Sequence, residues 1–158
     1  MMKATSDDKN RKIDVVTLKM VRKEPFMVKE GPITNKDRAI SVLSEQIGER
    51  DQEVFVVLCL DSKGKPNSYS EVHVGTLNSA LVHPREIFKT AILSNASAII
   101  IGHNHPSGDL SPSRQDMRIT EELVNSGKIL DIEVHDHIIV SGKDGVSIRE
   151  RQTELFKH

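Results

Sequence analysis

Three residues in the middle of the chain carry side chains that commonly bind metals: His103, His105 and Asp116. Residues two apart in an extended chain point to the same side of the backbone, so the two imidazoles are expected to face one space. Pro106 favours this geometry, because the residue before a proline avoids helical dihedral angles. Asp116 lies in the first turns of a predicted helix, from which its carboxylate could reach the histidines. Two imidazoles and one carboxylate would form a three-ligand set for a divalent metal, with a fourth position open for water.

A structural explanation competes with the metal site. An isolated His-x-His at a strand end is more often structural than metal-binding, and Asp116 could simply complement the dipole of the helix. A second pair, His135 and His137, also competes, although no Asp or Glu follows it at a comparable spacing. The first pair is favoured by its wider pattern: His-x-His, seven residues, Ser113, two residues and Asp116.

The elements on either side of this loop would position these residues. Residues 98–102 form a short apolar run with β-branched side chains, which predicts a fully buried strand. Ser111 and Pro112 are typical of an N-cap and a first helical position. The helix is expected to run from Pro112 to about Ser126 and to end at Gly127. The predicted order is therefore strand, metal loop and helix.

Strands and helices alternate along the rest of the chain. Residues 1–12 are polar and predict a flexible tail. Further predicted elements are a strand at 13–22, a helix at about 35–47, a hairpin of strands 53–61 and 70–75, a helix at about 84–95, strand material at 129–140 that is broken near His135 and Asp136, and a short last strand at 146–149. This alternation favours a single layered α/β domain with a β-sheet flanked by helices.

The composition is that of a soluble globular protein. The 158 residues are 37% hydrophobic, 28% charged and only 3% aromatic, which predicts an aliphatic core. The net charge of −1 gives no support for a strong nucleic-acid interface. A single cysteine, Cys59, excludes a disulfide framework and a cysteine-rich zinc site. The apolar run Val54–Leu60 is too short to cross a bilayer, and no signal peptide pattern opens the chain, so we expect a cytoplasmic protein with no membrane partner.

The spacing of His103, His105, Ser113 and Asp116 resembles the signature of the JAMM (MPN-plus) metalloproteases. The chain is most similar to the RadC-like branch of that family, from about residue 53 to residue 151. The blocks that carry this similarity are Gly-Thr-Leu-Asn at 75–78, Val-His-Pro-Arg-Glu-Ile-Phe at 82–88, His-Asn-His-Pro-Ser-Gly-Asp at 103–109 and Asp-His-Ile-Ile-Val at 136–140. The resemblance implies a JAMM/MPN-like domain over residues 13–158, with a mixed sheet and a layering like that of cytidine deaminases.

The resemblance also implies a chemistry, the hydrolysis of a peptide or isopeptide bond. One zinc ion per chain would be held by His103, His105 and Asp116. Glu53, at the start of the strand before the hairpin, matches the family's general base, and Glu71 on the returning strand is the alternative. Ser113 could cap the helix, or could help to hold the oxyanion that forms during attack on a carbonyl, and the two roles are compatible. The resemblance assigns His137 a structural role or a role in supporting the ligands.

RadC-like proteins commonly carry a helix-hairpin-helix segment before the metal domain, a module associated with DNA. Residues 1–52 predict a tail, a strand and one helix, so we expect no such module, and the link to DNA repair depends on the family name alone. The expected partner is a peptide or protein substrate. Two alternatives stay open: a metal-dependent hydrolase or accessory factor that acts on nucleic acid, and a non-catalytic binding module. An exposed sheet edge, for example the predicted strand at 13–22, could pair between subunits of a homo-oligomer.

Overall fold

A computed structural model describes residues 11–76 and 82–157 of the chain. The regular elements of these two ranges are, in chain order, α1 (Lys36–Ile47), β1 (Val54–Leu60), β2 (Pro66–Val74), α2 (Pro84–Leu93), β3 (Ala98–Asn104), α3 (Arg114–Leu130), β4 (Glu133–Ser141), β5 (Asp144–Ser147), α4 (Ile148–Arg151) and a 3-10 helix (Thr153–Phe156).

The five strands form one mixed sheet in the order β2-β1-β3-β4-β5. Strands β3 and β4 are parallel, and the other three neighbouring pairs are antiparallel. Strands β1 and β3 are buried along their whole length because helices cover both faces of the sheet. Helix α1 packs against one face, and α2 and α3 pack against the other. The predicted single α/β domain with a mixed sheet and flanking helices is confirmed.

The connection from β3 through α3 to β4 determines where the predicted ligands lie. A helix that links two parallel strands runs back along the sheet, so that its first turn lies beside the end of the preceding strand. Strand β3 ends at Asn104, and helix α3 begins at Arg114. This arrangement brings Asp116, in the first turn of α3, close to His103 and His105.

Both predicted boundaries of α3 were wrong. The N-cap is Ser113, not Ser111, because the Ser113 hydroxyl accepts a hydrogen bond from the backbone N–H of Asp116. Gly127 does not end the helix but lies within its last turns, where a Cβ atom would come within 2.5 Å of the Ile132 carbonyl oxygen. The glycine at this position allows the close approach of two backbone segments. The helix ends at Leu130, and its C-cap Asp131 adopts a left-handed conformation.

The prediction of a strand at residues 13–22 is also wrong. This segment has no regular structure, and its apolar side chains are largely exposed, as Val15 and Leu18 show. A segment rich in Val and Ile forms a strand only where it can pair with a neighbouring strand. Most of the predicted tail, residues 1–10, lies outside the described residues.

Cys59 is fully buried in β1, and burial raises the pKa of its thiol, as expected of a small core residue. Within residues 11–76 and 82–157, no helix is both long enough and apolar enough to cross a membrane.

Candidate metal centre

His103, His105 and Asp116 meet at the end of strand β3. Their potential ligand atoms all lie within 4.8 Å of one another. The Nε2 atoms of the two histidines are 2.9 Å apart, and the carboxylate oxygens of Asp116 lie 3.2 Å from Nε2 of His103 and 3.5 Å from Nε2 of His105. The side chains of His103 and Asp116 are buried, whereas that of His105 is 12% exposed. The predicted constellation therefore exists, and it reaches solvent at His105.

Ser113 orients Asp116 through a reciprocal pair of hydrogen bonds at the start of α3. The backbone N–H of Ser113 donates to Oδ2 of Asp116 at 2.7 Å, and the backbone N–H of Asp116 donates to Oγ of Ser113 at 3.0 Å. This is a capping box with Asp116 at the third helical position. Burial by itself raises the pKa of Asp116, but the adjacent imidazoles of His103 and His105 outweigh burial and hold that pKa well below its ordinary value.

The orientation of His105 follows from the loop after β3. Its backbone N–H donates to the Val140 carbonyl at 2.9 Å, which keeps the chain beside β4. Its ring Nδ1 lies 2.5 Å from the Asp109 carbonyl oxygen, and a carbonyl can only accept, so Nδ1 carries the proton. The hydrogen bond with Asp116 raises the pKa of His105, and burial opposes this shift.

This donor set fits a divalent cation. A neutral His105 with its proton on Nδ1 has a lone pair on Nε2, directed at His103 and Asp116. Electron-pair donors at such distances repel one another unless a proton or a cation lies between them. Two imidazole nitrogens and a carboxylate are ligands that zinc and other divalent metals accept. The three residues could therefore hold a metal ion.

The fully buried His137 contacts His103 directly, in agreement with the expectation that His137 is structural or supports the ligands. Its Nε2 is 2.8 Å from Nδ1 of His103, and its Nδ1 is 2.6 Å from the hydroxyl of Thr120 on α3. Burial lowers the pKa of His137 well below its usual value, which favours the neutral ring. The ring of Phe55 packs against both imidazoles, with centroids 5.8 Å from His103 and 5.5 Å from His137.

The second His-x-His pair does not form a metal site of its own. Strand β4 has an irregularity at His135 in its pairing with β3. Val134 pairs with Ile99 and Asp136 pairs with the next residue, Ile100, so His135 has no partner in β3. The two histidines therefore have different surroundings: His135 is partly exposed beside Glu133, and His137 is buried.

The amide of Asn104 holds the segment that carries Glu53. Its Oδ1 accepts from the backbone N–H of Val54 at 2.7 Å, and its Nδ2 donates to the carbonyls of Arg50 and Gln52. The fully buried Asn104 therefore links the end of β3 to residues 50–54. This role could not be recognised from the sequence, because it depends on the pairing of β1 with β3.

Of the two glutamates considered for general base, Glu53 is the one whose charge acts on the candidate metal centre. It directly precedes β1, the strand in which Phe55 pairs with His103. The charge of Glu53 contributes to raising the pKa of His105. Glu71 instead forms an ion pair with Arg50 at 2.9 Å.

Comparison with known proteins gives the family. A sequence model of the RadC-like JAB domain matches residues 33–153. A UPF0758 protein of Caldanaerobacter subterraneus subsp. tengcongensis is 43% identical over 119 residues, which cover 75% of this chain and 51% of the relative. A UPF0758 protein of Methanosarcina barkeri is 43% identical over 110 residues, covering 70% of this chain and 48% of the relative.

A third relative, a UPF0758 protein of Syntrophomonas wolfei, is 38% identical over 151 residues, covering 95% of this chain and 61% of its own length. The chain spans about half the length of the first two relatives. The match extends over most of the described fold and includes every residue of the candidate metal centre. The chain belongs to the RadC-like JAB domain family.

Proposed function

We propose that this chain is a zinc-dependent hydrolase that cleaves a peptide or isopeptide bond. The observation that carries the proposal is the convergence of the electron-pair donors of His103, His105 and Asp116 on one partly accessible point. Two histidines and one carboxylate are a ligand set of catalytic zinc sites, which keep a further position for water or substrate. When bound there, zinc supplies Lewis-acid chemistry and lowers the pKa of a coordinated water to about 7.

Glu53 is the general base of the proposed reaction. The charge of Glu53 raises the pKa of His105, the partly exposed member of the site, and this supports a carboxylate near enough to accept a proton from the attacking water and to pass it to the leaving nitrogen. Asn104 fixes the backbone that carries this carboxylate. Glu71 is less suited to the role because its carboxylate is engaged by Arg50.

Ser113 has a second role in the proposal beside that of the N-cap. Its Oγ accepts from the backbone N–H of Asp116, which leaves the hydroxyl hydrogen available to donate to an oxyanion. The N-terminus of α3 adds partial positive charge at the same place. In the proposed reaction Glu53 supplies the base, and Ser113 supplies a hydrogen-bond donor to the oxyanion.

A peptide or protein is the proposed substrate, since the near-neutral chain gives a polyanion no strong electrostatic attraction. The test is cleavage by the zinc-loaded protein of a fluorogenic peptide library and of a library of peptides branched through a lysine side chain. Short DNA and RNA oligonucleotides serve as the comparison substrates.

The matched variants are Glu53→Gln and Glu71→Gln. We expect Glu53→Gln to lower kcat/KM by about 10²- to 10⁴-fold with zinc still bound, because the general base is lost, and Glu71→Gln to retain activity. Cleavage of oligonucleotides alone would instead identify a nucleic-acid hydrolase. Zinc binding without any cleavage would identify a binding module.

A further inference from the structure

A buried chain of hydrogen bonds joins His103 to helix α3 behind the candidate metal centre. Nδ1 of His103 lies 2.8 Å from Nε2 of His137, and Nδ1 of His137 lies 2.6 Å from Oγ1 of Thr120. The Thr120 hydroxyl in turn lies 2.6 Å from the Asp116 carbonyl oxygen. The side chains of His103, His137 and Thr120 are inaccessible to solvent.

The Asp116 carbonyl, at one end of this chain of hydrogen bonds, determines the direction of every bond in it. The carbonyl oxygen of Asp116 can only accept, so the single hydroxyl hydrogen of Thr120 points to it. Oγ1 of Thr120 must then accept from His137, which places the proton of His137 on Nδ1. A neutral His137 has its lone pair on Nε2, and this lone pair accepts the proton on Nδ1 of His103.

A neutral His137 is required by its surroundings. Its hydrogen-bonding partners are a hydroxyl and an imidazole, and the ring of Phe55 packs against it. A buried imidazolium with no carboxylate as a direct partner would cost much of its hydration energy. The ring therefore has one donor and one acceptor.

We propose that Thr120 and His137 are positioning residues that hold His103 in the tautomer with its proton on Nδ1, so that Nε2 offers a lone pair to the metal. This inference rests on the proposed metal-dependent function. It also explains why Asp116 and Thr120 occupy successive turns of α3: one turn supplies a ligand, and the next fixes the tautomer of another ligand. A neighbour that orients the second nitrogen of a metal-binding histidine raises the affinity of such sites.

The matched variants are Thr120→Val and Thr120→Ser. Valine has nearly the shape of threonine but cannot accept from Nδ1 of His137. His137 is then expected to move its proton to Nε2 and to donate to His103, which shifts the proton of His103 to Nε2. Serine keeps the hydroxyl and should preserve the wild-type arrangement.

The first readout is the tautomer of each histidine in the metal-free protein, measured from imidazole ¹⁵N chemical shifts and long-range ¹H–¹⁵N couplings at mildly alkaline pH. We expect Nδ1–H for both His103 and His137 in the wild type and in Thr120→Ser, and a substantial Nε2–H population for His103 in Thr120→Val. Nε2–H at His103 in the wild type would overturn the inference.

The second readout is the zinc dissociation constant, measured by competition with a chelating dye. Thr120→Val should bind zinc about 10- to 100-fold more weakly, and Thr120→Ser should bind it as tightly as the wild type. Equal affinity for all three proteins would overturn the positioning role. If the tautomers are as expected but the wild type binds no zinc, the proposed hydrolase fails while the tautomer assignment is supported, so the two failures can be told apart.

Discussion

Ser113 and Asp116 form two reciprocal hydrogen bonds at the start of helix α3. These bonds cap the helix and orient the carboxylate of Asp116, a potential metal ligand. The backbone N–H of Ser113 donates to Oδ2 of Asp116 at 2.7 Å, and the backbone N–H of Asp116 donates to Oγ of Ser113 at 3.0 Å. The other carboxylate oxygen, Oδ1, lies 3.2 Å from Nε2 of His103. A local helix-capping motif thus positions one of the three potential metal ligands.

Replacing Ser113 with alanine should therefore destabilise the protein. Loss of the N-cap is expected to lower the free energy of unfolding by about 1 kcal/mol, measured by urea denaturation of the metal-free protein. Ser111→Ala is the matched control, because Ser111 lies before the helix and does not cap it. An equal loss of stability in both variants would contradict the assignment of Ser113 as the cap.

Replacing Asn104 with alanine should affect both stability and the glutamate segment. The substitution removes three hydrogen bonds to buried or partly buried backbone groups, at a cost of about 1–3 kcal/mol in the free energy of unfolding. Asn67→Ala is the control, because the amide of Asn67 makes an exposed hydrogen bond to the Ser94 carbonyl. The measurement is the free energy of unfolding of each variant, obtained by urea denaturation. Equal values for the two variants would show that Asn104 does not anchor this segment.

Gly127→Ala should destabilise the protein even though alanine favours helices. The new Cβ would lie 2.5 Å from the Ile132 carbonyl oxygen and 3.3 Å from Cγ2 of Val134, so α3 and the chain that follows it must separate. We expect a loss of about 1–3 kcal/mol, as for other substitutions that overpack a core. The adjacent Ser126→Ala, at a half-buried position where the hydroxyl makes only an exposed hydrogen bond to the Glu122 carbonyl, should change stability by less than about 0.5 kcal/mol. A more stable Gly127→Ala variant would contradict the close packing.

Asp61, in the turn between β1 and β2, should make the free energy of unfolding depend on pH. The backbone N–H groups of Lys65 and Lys63 donate to its carboxylate and lower its pKa. Because the folded pKa is below the unfolded value of about 3.9, this contribution is fully present above that value and is lost as the pH falls through the folded pKa.

Asp61→Asn keeps an acceptor oxygen but has no charge to titrate. The difference in the free energy of unfolding between the wild type and this variant should therefore shrink as the pH falls from neutral to acid, as followed by thermal and urea unfolding. A difference that stays constant with pH would show that the Asp61 carboxylate does not contribute in this way.

The elements that could be predicted are those specified by nearby residues. The helix expected at about 35–47 is α1, and its N-cap is Asn35, whose side chain accepts from the backbone N–H of Arg38. The alternating pattern of β3 places His103 and His105 together, as expected. The start of α3 was harder to predict, because Ser111 and Ser113 are both good caps and tertiary contacts of Asp116 select the second.

The features that could not be predicted depend on contacts between distant strands. A break of this strand near His135 and Asp136 was expected, but only the pairing of β4 with β3 shows that His137 contacts His103. Asn104 has its role because residues 50–54 return beside β3. The segment 13–22 shows the opposite case, in which favourable strand residues have no partner strand among the described residues.

The central claim is that His103, His105 and Asp116 hold a metal ion, and metal content tests it most directly. The measurement is zinc per chain by inductively coupled plasma mass spectrometry, after zinc addition and dialysis, for the wild type, His103→Ala and His135→Ala. We predict one zinc per chain in the wild type and in His135→Ala, and none in His103→Ala. A wild type without metal, or a loss of metal in His135→Ala but not in His103→Ala, would contradict the proposed centre.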